Sequence, residues 1–109
     1  MVEYALQLDS TFSALSDPTR RDVLSRVSRQ ELSIGEIAKH YDLTFAAVSK
    51  HIKVLEKARL IVKRKRGKEQ IVSAAPQALA DAYSYLDGYK RLWDTRLDAL
   101  EIYLKESEE

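Results

Sequence analysis

A helical apolar pattern spanning Pro76 to Leu104 sets the strongest limit on how this chain can fold. Leu79, Ala82, Tyr83, Leu86, Tyr89, Trp93, Leu97, Leu100 and Leu104 recur at spacings of mostly three and four. A helix of nearly thirty residues rises about 1.5 Å per residue, whereas a small domain is only about 30 Å across. Its first half can cover a core of its own. Its outer half, with Trp93, Leu97, Leu100 and Leu104, needs a partner. Pairing with the same helix of a second copy, together with the first helix of the chain, gives a two-fold homodimer. The residues assigned to that interface are Tyr4, Leu8, Leu86, Tyr89, Trp93, Leu97 and Leu100, with 1–15 and 76–105 as dimerisation helices. Gly88 lies inside the pattern and is expected to bend or loosen the helix, at a cost of about 1 kcal/mol relative to Ala.

The remaining residues resolve into short elements. Tyr4, Leu8, Phe12 and Leu15 form one apolar face of a first helix over about 3–15. Asp17-Pro18 then suits an N-cap and first helical position, opening a second helix over 18–29 with Val23, Leu24 and Val27 inward. Ser33-Ile34-Gly35-Glu36 has the spacing of a capping box and starts a short helix over about 34–41. Asp42-Leu43-Thr44 supplies a tight turn, with Leu43 as its buried anchor and Thr44 as the next N-cap. A fourth helix follows over about 45–58, with Val48, Ile52 and Leu55 inward. The β-branched runs Leu60-Ile61-Val62 and Ile71-Val72 flank a polar stretch with Gly67 near its tip, which is a hairpin. A length of 109 residues suits one domain over 1–109, and only three Gly and two Pro disfavour a turn-rich all-β fold.

Several function classes drop out. There is no cysteine, which removes disulfides, thiolate nucleophiles and cysteine metal ligands together. With only His40 and His51 as imidazoles and no glycine-rich phosphate loop, no acid–base or nucleotide site is visible, so an enzyme is not expected and neither is a cofactor. No apolar run approaches the roughly 20 residues needed to cross a bilayer and no signal peptide opens the chain, so the cytoplasm is the expected location, with no membrane partner.

The net charge of +1 conceals a segregation. Lys50, Lys53, Lys57, Arg59, Lys63, Arg64, Lys65, Arg66 and Lys68 are opposed only by Glu56, whereas acids outnumber bases from Asp81 onward. A short helix, a tight turn and a longer helix over 33–58 form a helix-turn-helix, and the hairpin over 60–73 supplies a wing. The fold expected is mainly α with a β-hairpin wing, a winged helix-turn-helix in the order α-α-α-α-β-β-α. Neutralising phosphates needs a contiguous band of Lys and Arg, and here it runs from the fourth helix into the hairpin. The residues assigned to double-stranded DNA are Thr44, Phe45, Ala46, Ser49, Lys50, His51 and Lys53, with Arg66 and Lys68 at the hairpin tip. Phe45 either packs under the turn or meets DNA. His51 either contacts a phosphate or caps the helix edge. Arg20 and Arg21 suit an ion pair or the nucleic-acid backbone equally, and His40 reads as one exposed polar residue.

Phe12-Ser13-Ala14-Leu15-Ser16-Asp17-Pro18-Thr19-Arg20-Arg21, Ile37-Ala38, Val48-Ser49-Lys50-His51-Ile52-Lys53-Val54-Leu55 and Leu60-Ile61 together resemble the ArsR-type winged helix-turn-helix regulators, over about Leu8 to Val72. The resemblance implies a homodimeric repressor of a near-palindromic operator, commonly including its own gene. The tail from Tyr89 to Leu100 further resembles a branch that senses no metal. Metal-sensing members place cysteines where this chain has Ser33-Ile34-Gly35, or His and Asp on the last helix, where no His lies beyond His51. The resemblance thus implies no metal site and names no effector. The family frequently carries Gln where Phe45 stands, so base contacts differ here. The competing reading is a winged helix that binds protein without touching DNA.

Overall fold

The computed structural model describes residues 2–108, so Met1 and Glu109, the two ends of the expected domain, lie outside the described residues. The elements are α1 (Val2–Ala14), α2 (Pro18–Arg29), β1 (Leu32–Ser33), α3 (Ile34–Ala38), α4 (Phe45–Lys57), β2 (Ile61–Arg66), β3 (Glu69–Ala74) and α5 (Pro76–Glu108). The chain is a mainly helical winged helix-turn-helix.

Local chemistry explains the boundaries. Asp17 accepts from the Arg20 amide at 3.0 Å, and Pro18 occupies the first position of α2, where no amide partner is required. Arg20 and Arg21 turn back onto the end of α1. Arg20 Nε donates to the Ala14 carbonyl at 2.7 Å, and Arg21 Nη1 donates to the Leu15 carbonyl at 2.8 Å. Neither side chain forms an ion pair among the described residues: both guanidinium groups satisfy carbonyls that a helix terminus leaves without partners. Ser33 and Glu36 complete the capping box in both directions, at 3.1 and 2.9 Å. The short helix ends at Ala38, earlier than its apolar pattern predicts. Leu43 is 45% exposed and is not the anchor of the turn. Tyr41 does that work: it packs on the core, donates its hydroxyl to Asp22 and lies under the Arg26 guanidinium. The longer aromatic side chain reaches α2 and leaves Leu43 outside.

The core joins Val23, Leu24 and Val27 of α2, Ile37 of α3, Val48, Ile52 and Leu55 of α4, and Leu60, Ile61 and Val72 of the hairpin. Each such side chain contributes about 1.5–3 kcal/mol by leaving water. The sheet has three antiparallel strands in the order β1-β3-β2, one more than the hairpin predicted. Leu32 pairs with Val72 and Ser33 with Ile71, which makes β3 the central strand and buries both Ile71 and Val72. A two-residue strand has no readable period, which is why β1 escapes a sequence reading. In the hairpin Arg66 pairs with Glu69, leaving Gly67-Lys68 as the turn. Gly67 has φ +61° at the first central position, where a type II′ turn calls for glycine.

Helix α1 lies across α4 and α5. Gln7 Nε2 donates to the Ala58 carbonyl at 2.8 Å, and Thr11, fully buried, donates to the Gln7 carbonyl. Leu8 is buried within the protomer, so this packing already uses a side chain assigned to the dimer interface. Helix α5 passes through Gly88 as one 33-residue element. Ala78, Leu79 and Ala82 pack on the core, while every residue from 88 to 107 is exposed.

Candidate nucleic-acid interface

Thr44 accepts from the Ala47 amide at 3.1 Å and caps α4. With Val48, Ile52 and Leu55 held in the core, the opposite face of the helix presents Ala46, Lys50 and Lys53, with Ser49 half-buried beside them. These positions recur at three and four residues and form one outward stripe. Phe45, the first residue of α4, is 60% exposed and does not pack under the turn. It borders a cavity of about 280 Å³ that separates the starts of α3 and α4 from the turn end of the hairpin.

His51 sits at one edge of this stripe and faces α2. Its Nδ1 lies 3.4 Å from Arg20 Nη1 and 3.8 Å from Asp17 Oδ2, and its side chain is 23% exposed. Its Nδ1 side is thus turned to Asp17 and Arg20, which ties α4 to the start of α2. The Arg20 amide, hydrogen-bonded to the Asp17 carboxylate, is the main cause that holds that carboxyl below the usual range, with the His51 and Arg20 charges acting in the same direction.

The wing sorts its cations by partner. Lys63 Nζ lies 3.3 Å from Glu56, and Arg64 is paired with Glu31 and close to Ser73. The Arg64 contact is also what depresses the Glu31 carboxyl. Lys65, Arg66 and Lys68 are exposed, and no acid lies within ion-pair distance of them among the described residues. The hairpin therefore aims its uncompensated charge at its turn end. Lys65 belongs with Arg66 and Lys68, which spacing alone does not show, because what sets Lys63 and Arg64 apart is their tertiary contact with Glu56 of α4 and with Glu31 at a distance of 33 residues.

The other surface is α5 with the exposed flank of α1. Tyr4, Leu86, Tyr89, Trp93, Leu97 and Leu100 are each about half exposed, from 46% to 57%. Phe12, Tyr85 and Tyr89 form an aromatic ladder between the helices, with ring centroids 6.2 and 5.3 Å apart. Among the described residues no three His, Asp or Glu side chains gather as a metal-ligand group, and no helix is long and apolar enough to cross a membrane.

Comparison with known proteins agrees with this geometry. Residues 15–64 match the family model described as a helix-turn-helix domain. The HTH-type transcriptional regulator Rv2034 of Mycobacterium tuberculosis is 35% identical over 98 residues, covering 83% of this chain and 92% of that protein. A crystal structure of an ArsR family transcriptional regulator is 33% identical with a TM-score of 0.77, covering 83% of this chain and 93% of that one. The chain belongs to the ArsR family of transcriptional regulators. The transcriptional repressor SdpR of Bacillus subtilis is a further relative, 28% identical and covering 72% of this chain and 88% of that protein. A homodimeric winged helix-turn-helix DNA-binding domain from Mycobacterium bovis, at 17% identity and a TM-score of 0.62, shares the fold.

Proposed function

We propose that this ArsR-family chain is a homodimeric repressor that lays α4 into the major groove of a near-palindromic operator and sets the tip of its wing on flanking phosphates. One observation carries the reading: the outward stripe of α4 and the cations without acid partners at the wing, Lys65, Arg66 and Lys68, belong to adjoining elements. The site comprises Thr44, Phe45, Ala46, Ser49, Lys50 and Lys53 on the helix-turn-helix, and Lys65, Arg66 and Lys68 on the wing. His51 contributes by fixing α4 against α2. The dimer forms through α5 and the exposed flank of α1, with Tyr4, Leu86, Tyr89, Trp93, Leu97 and Leu100 at the contact. The single domain thus divides into dimerisation helices, a helix-turn-helix and a wing. The protein works in the cytoplasm by occupying DNA, without catalysis. Relatives support this: SdpR is named a repressor, and the M. bovis domain is described as homodimeric and DNA-binding.

Salt dependence tests the reading. Binding to a selected duplex should weaken steeply with salt, with a slope of about −0.9 per phosphate neutralised. Lys50→Ala and Lys53→Ala should each weaken binding across sequences and reduce that slope by about one if they contact phosphate. An interaction indifferent to salt, or no retarded duplex at all, would sink the proposal.

A further inference from the structure

We propose that Phe45 selects thymine at one position of each half-site by covering its 5-methyl group. The inference rests on the placement of α4 in the major groove argued above, and it names what the start of that helix reads. The first residues of a recognition helix are those nearest the base edges. The Thr44 hydroxyl is taken up by the Ala47 amide at the helix start, which leaves Phe45 as the first side chain not engaged by the backbone. It is 60% exposed, although it has no polar atom to offer water.

A single exposed phenylalanine is ordinary on a protein surface. Its surroundings here are not. Phe45 stands beside Ala46 at the head of a stripe that continues into Lys50 and Lys53, and across the 280 Å³ cavity it faces Lys68, Glu69 and Gln70 of the wing. An apolar ring thus stands between the exposed lysines of α4 and Lys68 of the wing, cations that suit phosphates, with Glu69 the one acid on the cavity lining. Ser33, Ile34 and Gly35 complete the lining, and Ile34 gives the cavity an apolar part beside the ring. In the major groove every base pair shows hydrogen-bond donors and acceptors, and the one apolar group is the 5-methyl of thymine. A ring that can neither donate nor accept through a polar atom gains from that methyl and strands the polar edges of the other bases. Phe45 therefore discriminates by chemistry, favouring T over C at the position it covers.

Duplexes are first selected from a random pool by the full-length protein. Each thymine of the selected site is then replaced singly by uracil, which removes the methyl and leaves the Watson–Crick edge unchanged. One position per half-site should lose about fourfold in affinity, from burial of one methyl, and substitution in both half-sites should lose about fifteenfold. At that position a cytosine should bind weakly and a 5-methylcytosine should regain the difference. The Phe45→Ala protein should bind thymine and uracil duplexes equally there, while Phe45→Leu should keep part of the preference. Salt-sensitive binding in which every thymine can become uracil at no cost overturns the inference and leaves the reading of α4 intact. A uracil penalty that persists in Phe45→Ala also overturns it, since Ala46 would then be the reader. Failure to bind any duplex in a salt-sensitive way overturns both.

Discussion

Arg59 carries a left-handed backbone, φ +62°, and it is the non-glycine residue with positive φ among those described. The reason lies in how α4 ends. The Arg59 amide donates to the Glu56 carbonyl at 2.9 Å and the Leu60 amide donates to the Leu55 carbonyl at 3.0 Å, with Leu55 and Leu60 both fully buried. This is a Schellman termination with its apolar contact, in the position where glycine is the usual residue. Arg59→Gly should therefore raise stability by about 0.5–1 kcal/mol, readable as a higher denaturant midpoint at constant slope; an unchanged or lower midpoint would show that the arginine side chain outweighs its backbone strain. Asp17 makes a second claim at this scale. Its folded pKa is depressed, chiefly by the Arg20 amide, so its contribution is present above the unfolded carboxyl value of about 4 and is lost as pH falls through the lower folded value. Thermal unfolding followed from pH 7 to pH 2 should show Asp17→Asn losing less on acidification than the parent, because the amide oxygen still caps α2 but does not titrate. An identical acid profile would remove Asp17 from the account.

At the scale of elements, helix existence was largely legible because three of the five helices announce themselves twice, by period and by cap. Asp17-Pro18, Ser33 with Glu36, and Thr44 all stand where the chain starts to coil, and the inward residues of α2 and α4 follow from spacing alone. What stayed hidden depends on partners far away in sequence. β1 exists because β3 offers an open edge, and Leu43 is exposed because Tyr41 reaches Asp22 across the fold. In the candidate site, the stripe of α4 was visible from its period, but the exposure of Phe45, the engagement of His51 by Arg20 and Asp17, and the pairing of Arg64 with Glu31 are tertiary facts. Gly88 illustrates the same limit, since a residue expected to loosen α5 leaves it continuous. A Cβ built there meets nothing within 4 Å. Gly88→Ala should accordingly raise helix stability by about 1 kcal/mol, seen as reduced amide exchange around position 88. If the variant instead weakens self-association, the partner helix approaches that glycine closely.

For the whole molecule, shape decides the assembly. The radius of gyration is 19.2 Å and the extents are 70 × 34 × 21 Å, whereas a compact chain of this length has a radius of about 13 Å. The excess comes from α5, which leaves the core after its first turns and carries Leu86, Tyr89, Trp93, Leu97 and Leu100 into solvent, each about half exposed. A second copy placed two-fold on α5 and the flank of α1 would cover that surface and set two α4 helices toward half-sites about 34–36 Å apart. Leu97→Arg puts two like charges near this contact, while Leu97 itself makes no core contact whose loss would unfold the protomer. The expected result is a monomer in sedimentation at micromolar concentration with unchanged helical circular dichroism. Because the second half-site is then bound independently and not by a tethered copy, operator affinity should fall by about 10²- to 10⁴-fold, while the weaker affinity for a single half-site is kept. A variant that sediments as a dimer would reject this interface, and one that is monomeric yet binds the full operator normally would reject the link between dimerisation and DNA recognition.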